Sequence, residues 1–280
     1  MNIAGLTTGL ALCATLLLTG CSFSGIASNG VNLNGNDGKA TVKKTVKIND
    51  FDEIMASQGI KVIFTQGANS GKADISTTPS AEKYLKVEVK NNTLCAYYSN
   101  NYDKRNVDIK GPSIIKVSSP NLNEVDLSSA ANVTIDGNLK VNGNFELDLS
   151  SASSFVAGNV TCNKLDGELS SSASATIAAL EGNLEAELSS ASSINIEKFK
   201  GNLDAETSSA SSINISSLIS SSISAEASSG SSINLSGISG GNINAEASSG
   251  AKITLSGKAK SLQQDSSSGG SVHTSGLTLN

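Results

Sequence analysis

Between Ser189 and Glu246 the chain says nearly the same thing three times. Ser189-Ser190-Ala191-Ser192-Ser193-Ile194-Asn195-Ile196 is followed by Ser208-Ser209-Ala210-Ser211-Ser212-Ile213-Asn214-Ile215. Ser228-Ser229-Gly230-Ser231-Ser232-Ile233-Asn234-Leu235 comes next. Self-similarity at a period of about 20 residues is the mark of a solenoid. Each copy is too short to bury its own apolar face, whereas stacked copies bury it together. A chain with 4 % aromatic residues, no Trp and so much Ser would otherwise read as disordered. The regular alternation of Leu, Ile and Val argues against that. Pro is absent from the repeats, as a hydrogen-bonded ladder requires.

Aligned on the first apolar residue after each Ser cluster, the copies put Val133, Phe155, Ile177, Ile194, Ile213, Ile233, Ile253 and Val272 in one column. The steps are 22, 22, 17, 19, 20, 20 and 19 residues. A coil of that length holds two or three short strands at about 3.3 Å per residue. In Leu184-Glu185-Ala186-Glu187-Leu188 the period of two points the three apolar residues inward and both acids outward. Ile194 and Ile196 likewise point inward, with Asn195 outward. Gly-Asn pairs beginning at Gly143, Gly182, Gly201 and Gly241 mark corners where a positive φ is tolerated. The Ser clusters mark stacked corners with no room for branched side chains, and their hydroxyls can bond from coil to coil. A second reading makes them a flat hydroxyl face for a glycan. Inward volume shrinks from Leu147 and Leu149 to Ala245 and Ala247, and then Gln264 and Ser266 take inward positions. That is how a stack ends against water. Residues 40–120 are expected to cover the other end.

Acids recur in two columns. Asp126, Asp148, Glu168, Glu187, Glu206, Glu226, Glu246 and Asp265 each stand two residues before a Ser cluster. Two residues earlier stand Glu124, Glu146, Asp166, Glu185 and Asp204. Stacked about 4.8 Å apart, neighbours repel by roughly 0.9 kcal/mol each in bulk water. One reading is a charged face that keeps a sheet soluble. The other is a weak, open Ca²⁺ face at Asp166, Glu168, Glu185, Glu187, Asp204 and Glu206. No other cofactor is expected.

At the N-terminus an apolar, uncharged stretch over residues 3–18 leads into Leu18-Thr19-Gly20-Cys21, the pattern of a bacterial lipobox. Residues 1–20 then form a lipoprotein signal peptide, and Cys21 is the lipid-attachment residue and the contact with the membrane. Residues 21–45 form a flexible tether, 46–127 an N-terminal β region and 128–280 the repetitive solenoid. Within the β region, Tyr84 to Lys90, Asn91-Asn92 and Thr93 to Tyr98 read as a hairpin.

Phe51-Asp52-Glu53-Ile54, Gly59-Ile60-Lys61-Val62, Gln66-Gly67 and Leu85-Lys86-Val87-Glu88-Val89 with Asn92-Thr93-Leu94 resemble the opening of the auto-transporter adhesin head, or GIN domain. The resemblance runs from Val46 to Asn280. It implies an all-β, right-handed parallel β-helix of Bacteroidetes type, the handedness agreeing with the rule for parallel crossovers. It further implies a secreted or lipid-anchored protein. With the lipobox at Cys21, the expectation is an outer-membrane lipoprotein facing either the periplasm or the exterior, a binding or structural module of the envelope such as an adhesin head toward a glycan or a surface protein. It supplies no catalytic residues.

The remaining residues give little chemistry. Net charge is −5 and Arg105 is the only arginine, so nucleic acid is not an expected partner. Tyr97, Tyr98, Tyr102 and Arg105 form the one aromatic and cationic cluster, either a hairpin packed on the first coil or a sugar-stacking patch. Cys95 and Cys162 either pair or, the reading favoured, remain two buried thiols. His273 is the only histidine and has no evident acid–base partner. An alternative function is a β-helical polysaccharide lyase or glycosidase using paired carboxylates. That chemistry needs one acid in an unusual environment, and acids that recur alike in every coil do not announce one, so a non-enzyme is expected.

Overall fold

The computed structural model describes residues 42–68, 70–99, 109 and 111–280. The signal peptide with Cys21, most of the tether, Tyr102 and Arg105 lie outside the described residues. The architecture is an all-β solenoid of about eight turns.

Three parallel sheets line its length. The first takes β2 (Glu53–Ala56), β6 (Thr93–Tyr98), β8 (Glu124–Leu127) and β11 (Asn144–Leu149), then the ends of β12 (Ser154–Leu169) and β13 (Ser174–Leu188). It continues through β15 (Leu203–Thr207), β17 (Ser222–Ala227), β19 (Asn242–Ala247) and β21 (Ser261–Ser266). The second takes β3 (Lys61–Gln66), β7 (Ile114–Ser119), β9 (Asn132–Ile135) and the starts of β12 and β13. It ends with the starts of β14 (Ser193–Lys200), β16 (Ser212–Ile219), β18 (Ser232–Ser239), β20 (Lys252–Ala259) and β22 (Ser271–Leu279). The third is narrow: β10 (Leu139–Lys140), the middles of β12 and β13, and the ends of β14, β16, β18, β20 and β22.

Stack order departs from chain order at the N-terminal end. The coil made by β2 and β3 lies between β8 and β9 on one side and β6 and β7, which come later in the chain than β2 and β3, on the other. Beyond it the pairing turns antiparallel: β1 (Val42–Lys47) on β4 (Lys72–Thr77), β4 on β7, and β5 (Leu85–Lys90) on β6. The expected hairpin is β5–β6, turned by Asn91 and Asn92 at φ 49° and 65°. One helical turn, α1 (Pro79–Glu82), completes this end, with Thr78 capping the Ala81 N–H. These pieces cover an edge that would otherwise template association.

The core is a set of side-chain columns, and one differs from the sequence alignment. Phe155 pairs with Ala175, and Ala175 with Ile194, while Ile177 lines up with Ile196. The column is therefore Val133, Phe155, Ala175, Ile194, Ile213, Ile233, Ile253 and Val272. Its steps are 22, 20, 19, 19, 20, 20 and 19, and the 17-residue step disappears. A rule that searched for a large apolar residue passed over Ala175, which is fully buried in the column. Volume concentrates toward the N-terminal end, where Phe145 and Phe155 meet at 5.7 Å and Phe51 and Phe64 at 6.1 Å. Ala205, Ala225 and Ala245 fill the later coils. Gln264 and Ser266 are exposed in the last one.

Each Ser cluster is a β-turn whose two central residues both have positive φ: Ser190 at 53° and Ala191 at 61°, Ser209 at 52° and Ala210 at 62°, Ser229 at 53° and Gly230 at 70°. The Ser192 N–H donates to the Ser189 carbonyl at 3.2 Å, as a type I′ turn requires. The turns are also bonded to one another: Ala152 N–H to Ser171 O at 2.9 Å, Ala191 N–H to Ser209 O at 3.0 Å, Gly230 N–H to Ser249 O at 3.1 Å. Where the last turn residue is a buried Ser, its hydroxyl reaches the coil before it. Ser192 Oγ donates to Leu169 O at 2.9 Å and Ser211 Oγ to Leu188 O at 3.0 Å. The corner serines thus have a structural role in the stack. Gln58 and Gly59, at φ 60° and 72°, build the same turn in the β2–β3 coil.

Candidate functional site: an acid-lined groove along the solenoid

Strand alternation turns the acids of the first sheet outward, and parallel pairing sets them one above another. Asp126 pairs with Asp148, Asp148 with Glu168, Glu168 with Glu187 and Glu187 with Glu206. Glu206 then pairs with Glu226, Glu226 with Glu246 and Glu246 with Asp265. From Asp126 to Asp265 each residue is followed by another acid, and Met55 pairs with Asp126 at the N-terminal end. Beside it, the first residue of each turn (Ser150, Ser170, Ser189, Ser208, Ser228, Ser248, Ser267) forms a hydroxyl column. Together they line a groove of about 730 Å³ that runs from Asp126 to Asp265.

The second acid column runs Glu124, Glu146, Asp166, Glu185, Asp204 and then passes to Ser224. Glu53 extends it, paired with Glu124 across β2 and β8. The sequence reading missed Glu53. The signal was present: Glu53-Ile54-Met55-Ala56-Ser57-Gln58-Gly59 has the frame of Glu124-Val125-Asp126-Leu127-Ser128-Ser129-Ala130, with Met55 replacing the second acid. Lys164 sits among the carboxylates, with Nζ 2.7 Å from Asp166 and 2.8 Å from Glu185. Among the described residues no three His, Cys, Asp or Glu side chains gather closely enough to hold a metal ion. Asp166, Glu168, Glu185, Glu187, Asp204 and Glu206, the residues expected to form a cation face, lie side by side in the two ladders.

The columns are not electrostatically uniform. Burial, then the carboxylates of Glu53, Glu146, Asp148 and Asp126, push Glu124 up to about 7. Asp148 is exposed, but partial exclusion of water and the acids around it push it up to about 6. Burial raises Asp126, while burial and then Glu226 and Glu187 raise Glu206. The sequence predicted identical acids throughout. The structure sets Glu124 and Asp148 apart through partial burial and the carboxylates crowded around each.

The aromatic cluster is divided. Tyr98 is 2 % exposed, with its OH on Ser113 Oγ at 2.9 Å and its backbone N–H on Gln58 Oε1 at 2.8 Å. It is core, and a sugar cannot stack on it. Tyr97, next along the strand, faces the other way and donates to Glu88 Oε1 at 2.8 Å. Tyr102 and Arg105 lie outside the described residues. Cys162 is a free, buried thiol whose pKa burial pushes up to about 11. Cys95 and Cys162 are therefore not paired with each other, and the reading of a buried thiol holds for Cys162. His273 is exposed, 3.4 Å from Ser271 Oγ.

Comparison with known proteins follows the same lines. Residues 50–237 match the family described as "Putative auto-transporter adhesin, head GIN domain". No curated protein matches the sequence. A "putative adhesin" from Parabacteroides merdae superposes with a TM-score of 0.66 at 20 % identity, over 85 % of this chain and 96 % of its own. A second, from Parabacteroides distasonis, gives 0.63 at 19 %, over 83 % and 95 %. A "putative lipid binding protein" from the same organism gives 0.63 at 17 %, also over 83 % and 95 %. At such identities the structures speak for the fold alone. The family match, which spans more than half of the chain, shows that this protein belongs to the GIN-domain family of auto-transporter adhesin heads.

Proposed function

We propose that this protein is a non-catalytic binding module of the cell envelope, an adhesin head held to the outer membrane by lipid at Cys21. The observation that carries this reading is the groove itself. Eight acids and seven serines repeat in register along one side of the solenoid, a surface suited to a long, regular partner. Its charge fits basic segments of a matrix protein, steered by a field that salt weakens. The same carboxylates would take Ca²⁺ only weakly, because no coil supplies a closed ligand set. The family description supports a surface or envelope role.

The test has two arms. Replacing Cys21 with Ser should move the protein from the membrane fraction to the soluble one and abolish labelling by fatty acid. A soluble form beginning at Ser22 should bind basic matrix proteins in a salt-dependent way, and Glu187→Gln with Glu206→Gln should weaken that binding. No binding to any matrix protein or glycan would sink the adhesion reading. The lyase or glycosidase alternative has one observation in its favour, the raised pKa of Glu124 beside Glu53. Release of new sugar ends that vanishes in Glu124→Gln would establish it instead.

A further inference from the structure

At its N-terminal end the second sheet turns a basic face outward. Past β7 the sheet is extended by β4 and then by β1, both paired antiparallel. Ala73 and Ile75 of β4 and Ile115 and Val117 of β7 are buried, so the residues alternating with them point out. The outward set includes Lys43 and Lys47 on β1, Lys72 on β4, Lys116 on β7 and Lys61 on β3. Asp74 is the one acid on the outward side of these four strands. It is already engaged: Lys72 Nζ stands 3.6 Å away, and Thr45 Oγ1 donates to Asp74 Oδ1 at 2.8 Å. Lys43, Lys47, Lys61 and Lys116 form no ion pair among the described residues. The imbalance is not confined to this face. Residues 1–120 hold 13 Lys and Arg against 9 acids, whereas residues 121–280 hold 7 Lys against 16 acids. The chain is positive in its first part and negative in its second.

We infer that this lysine face docks on the anionic headgroups of the membrane leaflet that holds the lipid at Cys21. Three observations select that occupant. The first is charge. Four lysines without carboxylate partners match a phosphate-bearing surface, which attracts each of them within a Debye length. The second is connection. β1 is the first described element, it pairs on one side only, and twenty residues separate Val42 from Cys21. Twenty residues reach at most about 70 Å, so the anchor holds the face at a high effective concentration over its own leaflet. The third is the placing of the acids. The groove belongs to the first sheet, on another side of the solenoid, and an anionic bilayer repels it. Docking through the lysines leaves the groove clear of lipid and open to its partner. The inference deepens the envelope reading and rests on the anchor proposed there, but the face is tested without that anchor.

The test is sedimentation of the chain beginning at Ser22, which carries no lipid, with vesicles of phosphatidylcholine alone or mixed with phosphatidylglycerol. Wild type should pellet with the mixed vesicles and stay in solution with pure phosphatidylcholine, and about 0.5 M salt should release it. Lys43→Gln/Lys47→Gln/Lys116→Gln should bind the mixed vesicles at least about tenfold more weakly. Lys252→Gln/Lys258→Gln/Lys260→Gln removes the same charge from exposed positions near the C-terminal end and should bind as wild type. Wild type that fails to pellet with the mixed vesicles overturns the inference, and so does equal binding to the two kinds of vesicle. Equal binding by the two triple variants overturns it too, because net charge and not this face would then decide. Retention on DNA without retention on mixed vesicles also overturns it. Fractionation of Cys21→Ser reads the anchor separately. If that variant leaves the membrane fraction while the vesicle test fails, the anchor stands and the lysine face alone is lost.

Discussion

Glu206 stands in register between Glu187 and Glu226, so that it has a like charge on both sides in adjacent coils. Its carboxyl is raised by burial and by those two neighbours. Each contact costs at most about 1 kcal/mol in water-like surroundings, and salt and side-chain splay reduce it. Glu206→Gln should therefore stabilise the protein by about 0.5–1 kcal/mol at low salt, a rise in melting temperature of about 1–4 °C. The gain should shrink at about 1 M salt, where the Debye length falls to about 3 Å. A melting temperature that drops, or a gain indifferent to salt, would show that the column does not repel. The same thermal scan with Ca²⁺ added after exhaustive chelation tests the cation reading, for which a rise is expected.

Ala191 holds φ 61° after Ser190 at φ 53°. Residues with a Cβ pay roughly 1–2 kcal/mol in this region. The equivalent positions 230, 250 and 269 use Gly. Ala191→Gly should leave stability unchanged or raise it by about 0.5–1 kcal/mol, because relief of strain outweighs the added freedom of the unfolded chain. Ala191→Val should cost at least about 2 kcal/mol, since a β-branched residue fits this conformation worst. Chemical denaturation of both variants checks the pair. The proposed turn geometry fails if Val is tolerated and Gly is not.

These corners show where the sequence was legible and where it was not. The inward and outward pattern of Leu184 to Leu188 and the acid column from Asp126 to Asp265 follow from a period of two plus a fixed offset from the Ser cluster, and both appear in the sheet register. Positive φ was expected at Gly-Asn pairs, where propensity favours it. It falls in addition on Ser-Ala and Ser-Ser pairs, because hydrogen bonds to the turns above and below impose it on residues that would not choose it. The insertion of β2 and β3 beneath β8 and β9 was missed, since pairing across 71 positions, as between Glu53 and Glu124, leaves only the shared frame of the two strands as a trace. Tyr97 and Tyr98 were read as one patch, although adjacent strand residues face opposite ways.

Acid should stabilise this protein. Glu124 is held up to about 7 and Asp148 to about 6, both above their values in an unfolded chain. The native state therefore keeps protons that the unfolded state has already released. The native state binds more protons between about pH 4 and 7, so stability is fully present below the unfolded values and falls as pH rises through the folded ones. The melting temperature should decline from about pH 4.5 to about pH 7.5, and Glu124→Gln should flatten that decline. A curve rising over this range would contradict the crowding of Glu53, Glu124 and Glu146.

Gly201 marks the tightest approach between coils. A Cβ placed there would run into the carbonyl oxygen of Gly182 in the coil before, and would also come 3.1 Å from the backbone nitrogen of Asn183. Both obstacles are backbone, which cannot rotate away as a side chain can. Gly201 N–H donates to the Ile219 carbonyl at 3.1 Å, so the residue is also held from the following coil. Gly201→Ala must push two ladders apart, at a cost of about 1–3 kcal/mol or more. A Cβ at Gly67, by contrast, would meet nothing within 4 Å, and Gly67→Ala should change stability by less than about 0.5 kcal/mol. Urea denaturation of the two variants side by side separates a demand of the stack from a general intolerance of added methyl groups. Equal losses at both sites would mean that the coils are not packed backbone to backbone at Gly201.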